Sequence, residues 1–278
     1  MRLALATIVL IAAAGLPGCS RPAERPLQPK VVPPAIKQAG VLRAGVDLSY
    51  PPFGGVDNGR QAGIDVDVAE ALAGSLGLRA QIIGLKSSQI ASALAGGAVD
   101  VALSAPFSAD VLSRASIAGT YLADGPGVFV ASESTVSVPA TITPTWLSSV
   151  VIGAQQSSVG YWRTVGDIGS ESVTVYPTLR EALEALAAGR VQAVVGDSLV
   201  GAYIIRDIPG VRFAGQLGGA SPVGVAVTAS NTTLGDAVRT TLDSMAGNGV
   251  LSAIRAKWVG ALPVLVVPVS DVATSTTP

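Results

Sequence analysis

Stretches rich in β-branched residues alternate with amphipathic helical stretches along most of this chain, and glycine follows each of those helices. Val41–Val46 is short and apolar enough for a buried strand. Asp65–Leu76 sets Val68, Ala69, Leu72, Ala73 and Leu76 on one helical face before Gly77 stops it. Gln81–Ile83 and Val99–Leu103 read as strands around a helix from Ser88 to Ala95, which Gly96 and Gly97 terminate. The pattern then returns. Strands at Val150–Ala154 and Val173–Tyr176 precede a helix from Leu179 to Ala188, opened by a capping box of Thr178 with Glu181; Gly189 ends it and Val191–Val195 is the next strand. Strands alternating with helices pack as parallel βαβ units, so the predicted class is α/β.

Two of these units resemble each other. ALAGGAVDVALSA, from Ala93 to Ala105, aligns without gaps on ALAAGRVQAVVGD, from Ala185 to Asp197. The match predicts two similar lobes and makes Ser104 and Ala105 the counterparts of Gly196 and Asp197 at equivalent strand ends. Chance similarity competes with this reading, because Ala-Leu-rich helices before Val-rich strands are common in α/β proteins.

The end of the first strand carries the most ligand-ready chemistry. In VLRAGVDLSYPPF, from Val41 to Phe53, Pro51 and Pro52 lack amide donors and cannot continue a central ladder. Asp47, Tyr50 and Phe53 therefore fall just past the strand's carboxyl end, where open α/β sheets bind small molecules. Two readings stand here: a ligand contact, or aromatic rings that plug the top of the core.

The amino terminus reads as an address. Arg2 precedes an apolar run from Leu3 to Leu16, shorter than the roughly 20 residues a membrane span needs, so residues 1–18 are expected to be a signal peptide. Leu16, Pro17, Gly18 and Cys19 resemble a bacterial lipobox, which implies cleavage before Cys19, lipid on its sulfur and a protein held at the outer face of the cell membrane or in the periplasm. The alternative is a plain signal peptide that happens to contain a cysteine. Prolines 22, 26, 29, 33 and 34 make residues 19–34 an extended tether. At the far end, the tail of residues 263–278 continues an apolar LPVLVVPV stretch (262–269), for which an edge strand is one reading, and finishes in Ser, Thr and Pro of disordered character.

Composition excludes several classes. The formal net charge is −1, which leaves no electrostatic footprint for nucleic acid. Histidine is absent and Cys19 is the single thiol, so the common zinc ligands and the Ser/His or Cys/His catalytic pairs are missing, and no metal or cofactor is expected.

Five segments in order carry a family resemblance: GVLRAGVDLSYPPF (40–53), GIDVDVAEALAGSLGL (63–78), ALAGGAVDVALSA (93–105), TLREALEALAAGRVQAVVGDSLVGAYII (178–205) and LDSMAGNGVLSAIRAKWVG (242–260). Together they resemble family 3 extracellular solute-binding proteins, which bind polar amino acids and related solutes for ABC importers. The resemblance implies a two-lobed periplasmic-binding-protein fold, each lobe a mostly parallel sheet flanked by helices. Residues 35–126 plus 223–262 would form lobe 1 and residues 127–222 lobe 2, with crossings near Ala123–Val130 and Ala220–Val225. It also implies a monomer whose partners are a small solute and an ABC permease.

Site residues follow from the same resemblance. Asp47 and Tyr50 match the acid and aromatic that meet a ligand side chain, with Phe53 completing the turn, and Asp197 matches the second-lobe aspartate that holds an ammonium. Gln155, Ser157 and Ser158 lie in GAQQSSVG, which resembles a loop that holds a carboxylate; the other reading of the serines is a plain helix cap. Departures are concentrated in SAPFSADVLSR, from Ser104 to Arg114. Ser104 and Ser108 keep hydroxyls there, but the arginine that forks onto a ligand carboxylate falls on Val111. Arg114 either swings in from the next turn or is a solvated surface charge, the reading we favour. Ser87 stands where an aromatic usually covers the ligand, and Phe107 is the candidate replacement. Retained acids beside a missing arginine point to an amine-bearing solute. Two other classes stay open: an enzyme on the same scaffold, dehydratase-like or joined to a lytic transglycosylase, and a lipoprotein that presents its solute to a sensor.

Overall fold

The computed structural model describes residues 28–105, 113 and 115–268. The lipobox with Cys19 therefore lies outside the described residues, as do Phe107, Ser108, Val111 and Arg114.

Strands β1 (Val41–Val46), β4 (Arg79–Gly84), β5 (Val101–Ala105), β6 (Ala115–Asp124) and β12 (Ser221–Thr228) form one five-stranded sheet in the order β4-β1-β5-β12-β6. A small hairpin of β2 (Gly55–Asp57) and β3 (Arg60–Ala62) stands apart. The second sheet runs β11-β7-β10-β8-β9, from β7 (Pro126–Ala131), β8 (Ile152–Gln155), β9 (Val173–Tyr176), β10 (Ala193–Asp197) and β11 (Val211–Gln216). Neither sheet is mostly parallel. Each is parallel on one side, β4-β1-β5 and β10-β8-β9, and antiparallel on the other. The reason is the connection between them: β6 continues through Gly125 into β7, and β11 returns through Leu217–Ala220 into β12, so the strands that carry the chain across run against their neighbours.

Helices α1 (Ile64–Ser75), α2 (Ile90–Ala95), α3 (Pro144–Leu147), α4 (Val159–Ile168), α5 (Leu179–Ala187), α6 (Ser198–Ile204), α7 (Thr232–Gly247) and α8 (Val250–Val259) complete the described elements. The apolar face read from the sequence of α1 is buried, including Val68, Ala69, Leu72 and Ala73. Its start depends on Gly63, at φ 146°, where a Cβ would come within 2.2 Å of the Phe53 carbonyl oxygen. The two copied units fold alike. Strand β5 and strand β10 occupy equivalent positions of the alignment, and α5 corresponds to a 3-10 turn at Ser87–Gln89 running into α2.

Several expectations need correction. The tether is not free up to residue 34: Val31 is buried in the core of the first lobe and the Lys30 amide donates to the Leu76 carbonyl. Among the described residues, up to Pro268, the apolar stretch after α8 forms no strand. It runs as a strap held at Val266: the Val266 amide donates to Gln216 Oε1 and the Val266 carbonyl accepts from Gln216 Nε2, both at 2.8 Å, and from the Ala220 amide at 3.0 Å. The capping box is half made, since the Glu181 amide donates to Thr178 Oγ1 while the Glu181 carboxylate meets the same hydroxyl rather than the backbone.

The lobes also share packing. Leu199 and Ala202 of α6 join the core of the first sheet, although α6 follows β10 of the second. Arg206 Nη1, just past α6, donates to the Trp258 carbonyl at the end of α8 (3.0 Å), and the Tyr203 and Trp258 rings lie 6.2 Å apart.

Candidate functional site

Parallel pairing of β1 with β5, Ala44 with Val101 and Gly45 with Ala102, carries Asp47 and Ser104 to the same edge of the first sheet. Asp47 sits just past β1. Partial burial pushes its carboxyl up, but the Ser49 hydroxyl and amide, the Ser87 amide and the Lys86 ammonium outweigh that and hold it below the ordinary value. The Ser49 hydroxyl donates to Asp47 Oδ1 at 2.6 Å. Tyr50 is 48% exposed and stacks on Phe53, with ring centroids 5.5 Å apart and ring planes nearly parallel. Phe53 itself is buried in the core. The two readings of this turn therefore divide between its rings: Phe53 plugs the core and Tyr50 stands over it.

On the second sheet, β8 and β10 run parallel, so Gln155 and Asp197 emerge at one edge. Helix α4 starts close to that edge because Gly160 has no Cβ; one would lie 3.2 Å from the Gly196 Cα. Ser158 is the cap of α4, accepting from the Tyr161 amide (3.0 Å) and donating to the Gln155 carbonyl (2.8 Å). Ser157 is exposed, with φ 57°. Asp197 caps α6 in the same way, its Oδ1 accepting from the Val200 amide at 2.9 Å.

Tyr50 links the two edges. Its hydroxyl lies 3.4 Å from Asp197 Oδ2, across 147 residues of sequence. Behind them stands an acid that the sequence reading had placed only in a crossing segment. Asp124, the last residue of β6, accepts from the Gly125 amide (2.8 Å) and the Leu199 amide (3.2 Å), and its carboxyl is in hydrogen-bonding contact with Asp197. Burial first, and then the Asp197 carboxylate, push the Asp124 carboxyl up to about 9. Burial also raises the Tyr50 phenol, with Asp197 and Asp124 adding to the effect. The pair thus holds a proton at neutral pH, or a cation in its place.

A second buried acid was also missed. Asp65, in the first turn of α1, is fully buried and its Oδ1 accepts from the Tyr121 hydroxyl at 2.5 Å. Tyr121 Oη in turn accepts from the Ser104 amide at 2.9 Å. Among the described residues Asp65 Oδ2 makes no hydrogen bond of good geometry. Burial pushes this carboxyl up to about 7 against the opposing effect of the Ser104 and Tyr121 hydroxyls. The signal was present in the sequence: Asp65 heads the same helical stripe as Val68, Ala69 and Leu72, where a solvated acid does not belong.

A groove of about 430 Å³ lies elsewhere, between Leu122, Leu251 and the strap residues Leu262–Leu265. It includes none of Asp47, Tyr50, Asp124 or Asp197. No group of acids and thiols able to hold a metal ion occurs among the described residues.

Two sheets thus turn strand ends toward a shared polar edge, bridged by Tyr50 and Asp197. Residues 42–261 match the family of bacterial extracellular solute-binding proteins, family 3, and the chain belongs to it. That family is one of solute receptors rather than enzymes. The chain is 24% identical over 231 residues to the L-cystine-binding protein TcyJ of Escherichia coli, covering 81% of this chain and 85% of that one. It is 27% identical over 239 residues to the arginine-binding protein ArgT of Corynebacterium glutamicum, covering 82% and 77%. Its fold is similar to that of an ancestral cationic amino acid solute binding protein, with a TM-score of 0.68 at 23% identity, covering 79% of this chain and 96% of that one.

Proposed function

We propose that this protein captures an amine-bearing amino acid or a related amine between its lobes and delivers it to an ABC permease, held at the membrane by lipid on Cys19. The observation that carries the ligand class is the pair of acids at the sheet edges, Asp47 on one lobe and Asp197 on the other, with Asp124 behind it sharing a proton with Asp197 that a bound cation would replace. Closing a cleft over unpaired carboxylates costs several kcal/mol, and an ammonium or guanidinium offsets that cost. Arginine has both groups and cystine carries two ammonium groups, so the ligands named for the two relatives share this chemistry. In the bound state Asp197 takes the ligand's ammonium, Asp47 and Tyr50 meet its side chain, and Gln155 and Ser157 lie toward its carboxyl end. A ligand touching both lobes favours the closed arrangement and shifts the population toward it.

Isothermal titration with lysine, arginine, spermidine, glutamine and glutamate tests the reading. Binding confined to the cationic compounds is expected, and tight binding of glutamate alone overturns it. Replacing Cys19 by Ala is expected to release the protein from the membrane fraction.

A further inference from the structure

The path from Asp65 through Tyr121 to Ser104 joins a buried carboxyl to the strand end that faces the ligand. Ser104 has φ 49°, a left-handed conformation that costs a residue with a Cβ about 1–2 kcal/mol, so something must hold it. The holding contact is its amide's hydrogen bond to Tyr121 Oη. That phenol is itself oriented by giving its proton to Asp65 Oδ1. We propose that Asp65 and Tyr121 are positioning residues for the ligand cleft: the charge on Asp65 fixes the Tyr121 hydroxyl, which fixes the turn at Ser104, so that solute affinity depends on whether Asp65 is ionised. The proposal rests on Ser104 bordering the cleft of the functional reading above.

The direction follows from hydrogen-bond strength. An ionised Asp65 accepts from Tyr121 in a charge-assisted bond, roughly twice as strong as the bond to a neutral carboxyl. Ser104 is therefore held more firmly above the pH at which Asp65 ionises, which burial places at about 7. Among the described residues the groups facing Asp65 are Tyr121 on β6, Ser104 on β5 and Asp47 beyond β1, whose charge adds to the upward push. On its own helix, Asp67 is paired with Lys257 and Trp258 of α8. Arginine keeps its charges between pH 5.5 and 8, so a change of affinity in that window belongs to the protein.

Two readouts on the full-length protein test this, one of them without ligand. The amide shift of Ser104, followed by NMR, is expected to titrate with a midpoint of about 7 and to stop doing so in Asp65→Asn and Tyr121→Phe. Between pH 8 and 5.5, affinity for L-arginine is expected to fall about fivefold more in the wild type than in either variant, the fall common to all three coming from the Asp124–Asp197 pair, whose proton a cation replaces. A Ser104 amide that does not titrate, or an arginine profile equally steep in the wild type and in both variants, overturns the proposal. Tyr121→Phe keeps the ring in place and serves if Asp65→Asn folds poorly. If the Ser104 amide titrates as expected while arginine binds at no pH, the amine-capture reading fails and the Asp65–Tyr121–Ser104 linkage stands.

Discussion

The two facing sheet edges hold their polar groups by different means. On the second lobe the backbone already uses them: Ser158 caps α4 and Asp197 caps α6. On the first lobe Asp47 is held by a neighbouring serine and Ser104 by a phenol tied to a buried acid. A side chain that caps a helix is fixed in place before any solute arrives, but if it also meets the solute, as proposed for Asp197, its substitution strikes folding and binding together. A ligand side chain held by other side chains can be removed with less harm to the fold.

The largest expected effect separates the two. Asp197→Ala is expected to weaken arginine binding by about 2–5 kcal/mol and to lower stability by about 1 kcal/mol through loss of the cap. Asp197→Asn keeps an oxygen that can cap, so it is expected to lose the binding and retain the stability. Asp47→Ala is expected to weaken binding with a stability change below about 1 kcal/mol, the worth of one exposed hydrogen bond. Titration calorimetry and urea unfolding on the three variants check this, and equal stability for the Ala and Asn variants at position 197 breaks the contrast.

Next in size is the dependence of stability on pH. Asp65 and Asp124 both have carboxyls raised in the folded state, to about 7 and about 9. A raised folded value means that the folded protein keeps a proton the unfolded chain has released. The stabilisation is complete below the unfolded value near 4 and is lost as pH rises through the folded value. The melting temperature is therefore expected to fall from pH 5 to pH 9. Asp65→Asn should flatten the part of the curve below about 7, and Asp124→Asn the part that continues toward 9. A melting temperature constant over that range would show that neither acid is held neutral.

A smaller effect isolates the cap alone. Ser158→Ala is expected to cost about 1 kcal/mol, whereas Ser157→Ala, at an exposed neighbour, is expected to leave stability unchanged within about 0.5 kcal/mol. Urea midpoints measure both.

Local pattern carried the repeated units furthest. The glycine after each helix and the apolar strand behind it are contained in a dozen residues, and β5 and β10 occupy equivalent positions of the two copies. The sequence-read starts of these strands came two residues early, because Val99 and Val191 are buried in the approach to each strand without pairing in it. What local pattern could not carry was contact at long range. Tyr50 meets Asp197 over 147 residues, and Asp65 meets Tyr121 over 56. Asp124 lay inside the crossing segment inferred from the family resemblance, but nothing beside it in sequence marks the acid it faces. The mixed sheets escape local pattern for the same reason: βαβ units are marked in sequence, whereas the strands that cross between lobes are not.

The strap beyond α8 supplies the smallest and last test, and it concerns what joins the lobes rather than what lines them. Gln216, at the end of β11, exchanges two hydrogen bonds with Val266, and Leu265 beside it is buried. These bonds tie the chain leaving the first lobe to the edge strand of the second, a third connection beside the two that carry the sheets. Both bonds lie near solvent, so their net worth is about 0.5–1.5 kcal/mol each at most. Gln216→Ala is expected to lower global stability by about 1 kcal/mol while raising hydrogen exchange most at the Val266 and Ala220 amides, both of which depend on the strap staying in register. If exchange at Ala220 is unchanged, the strap follows the second lobe passively. If it rises together with a change in arginine affinity, the strap takes part in setting how far the lobes stand apart.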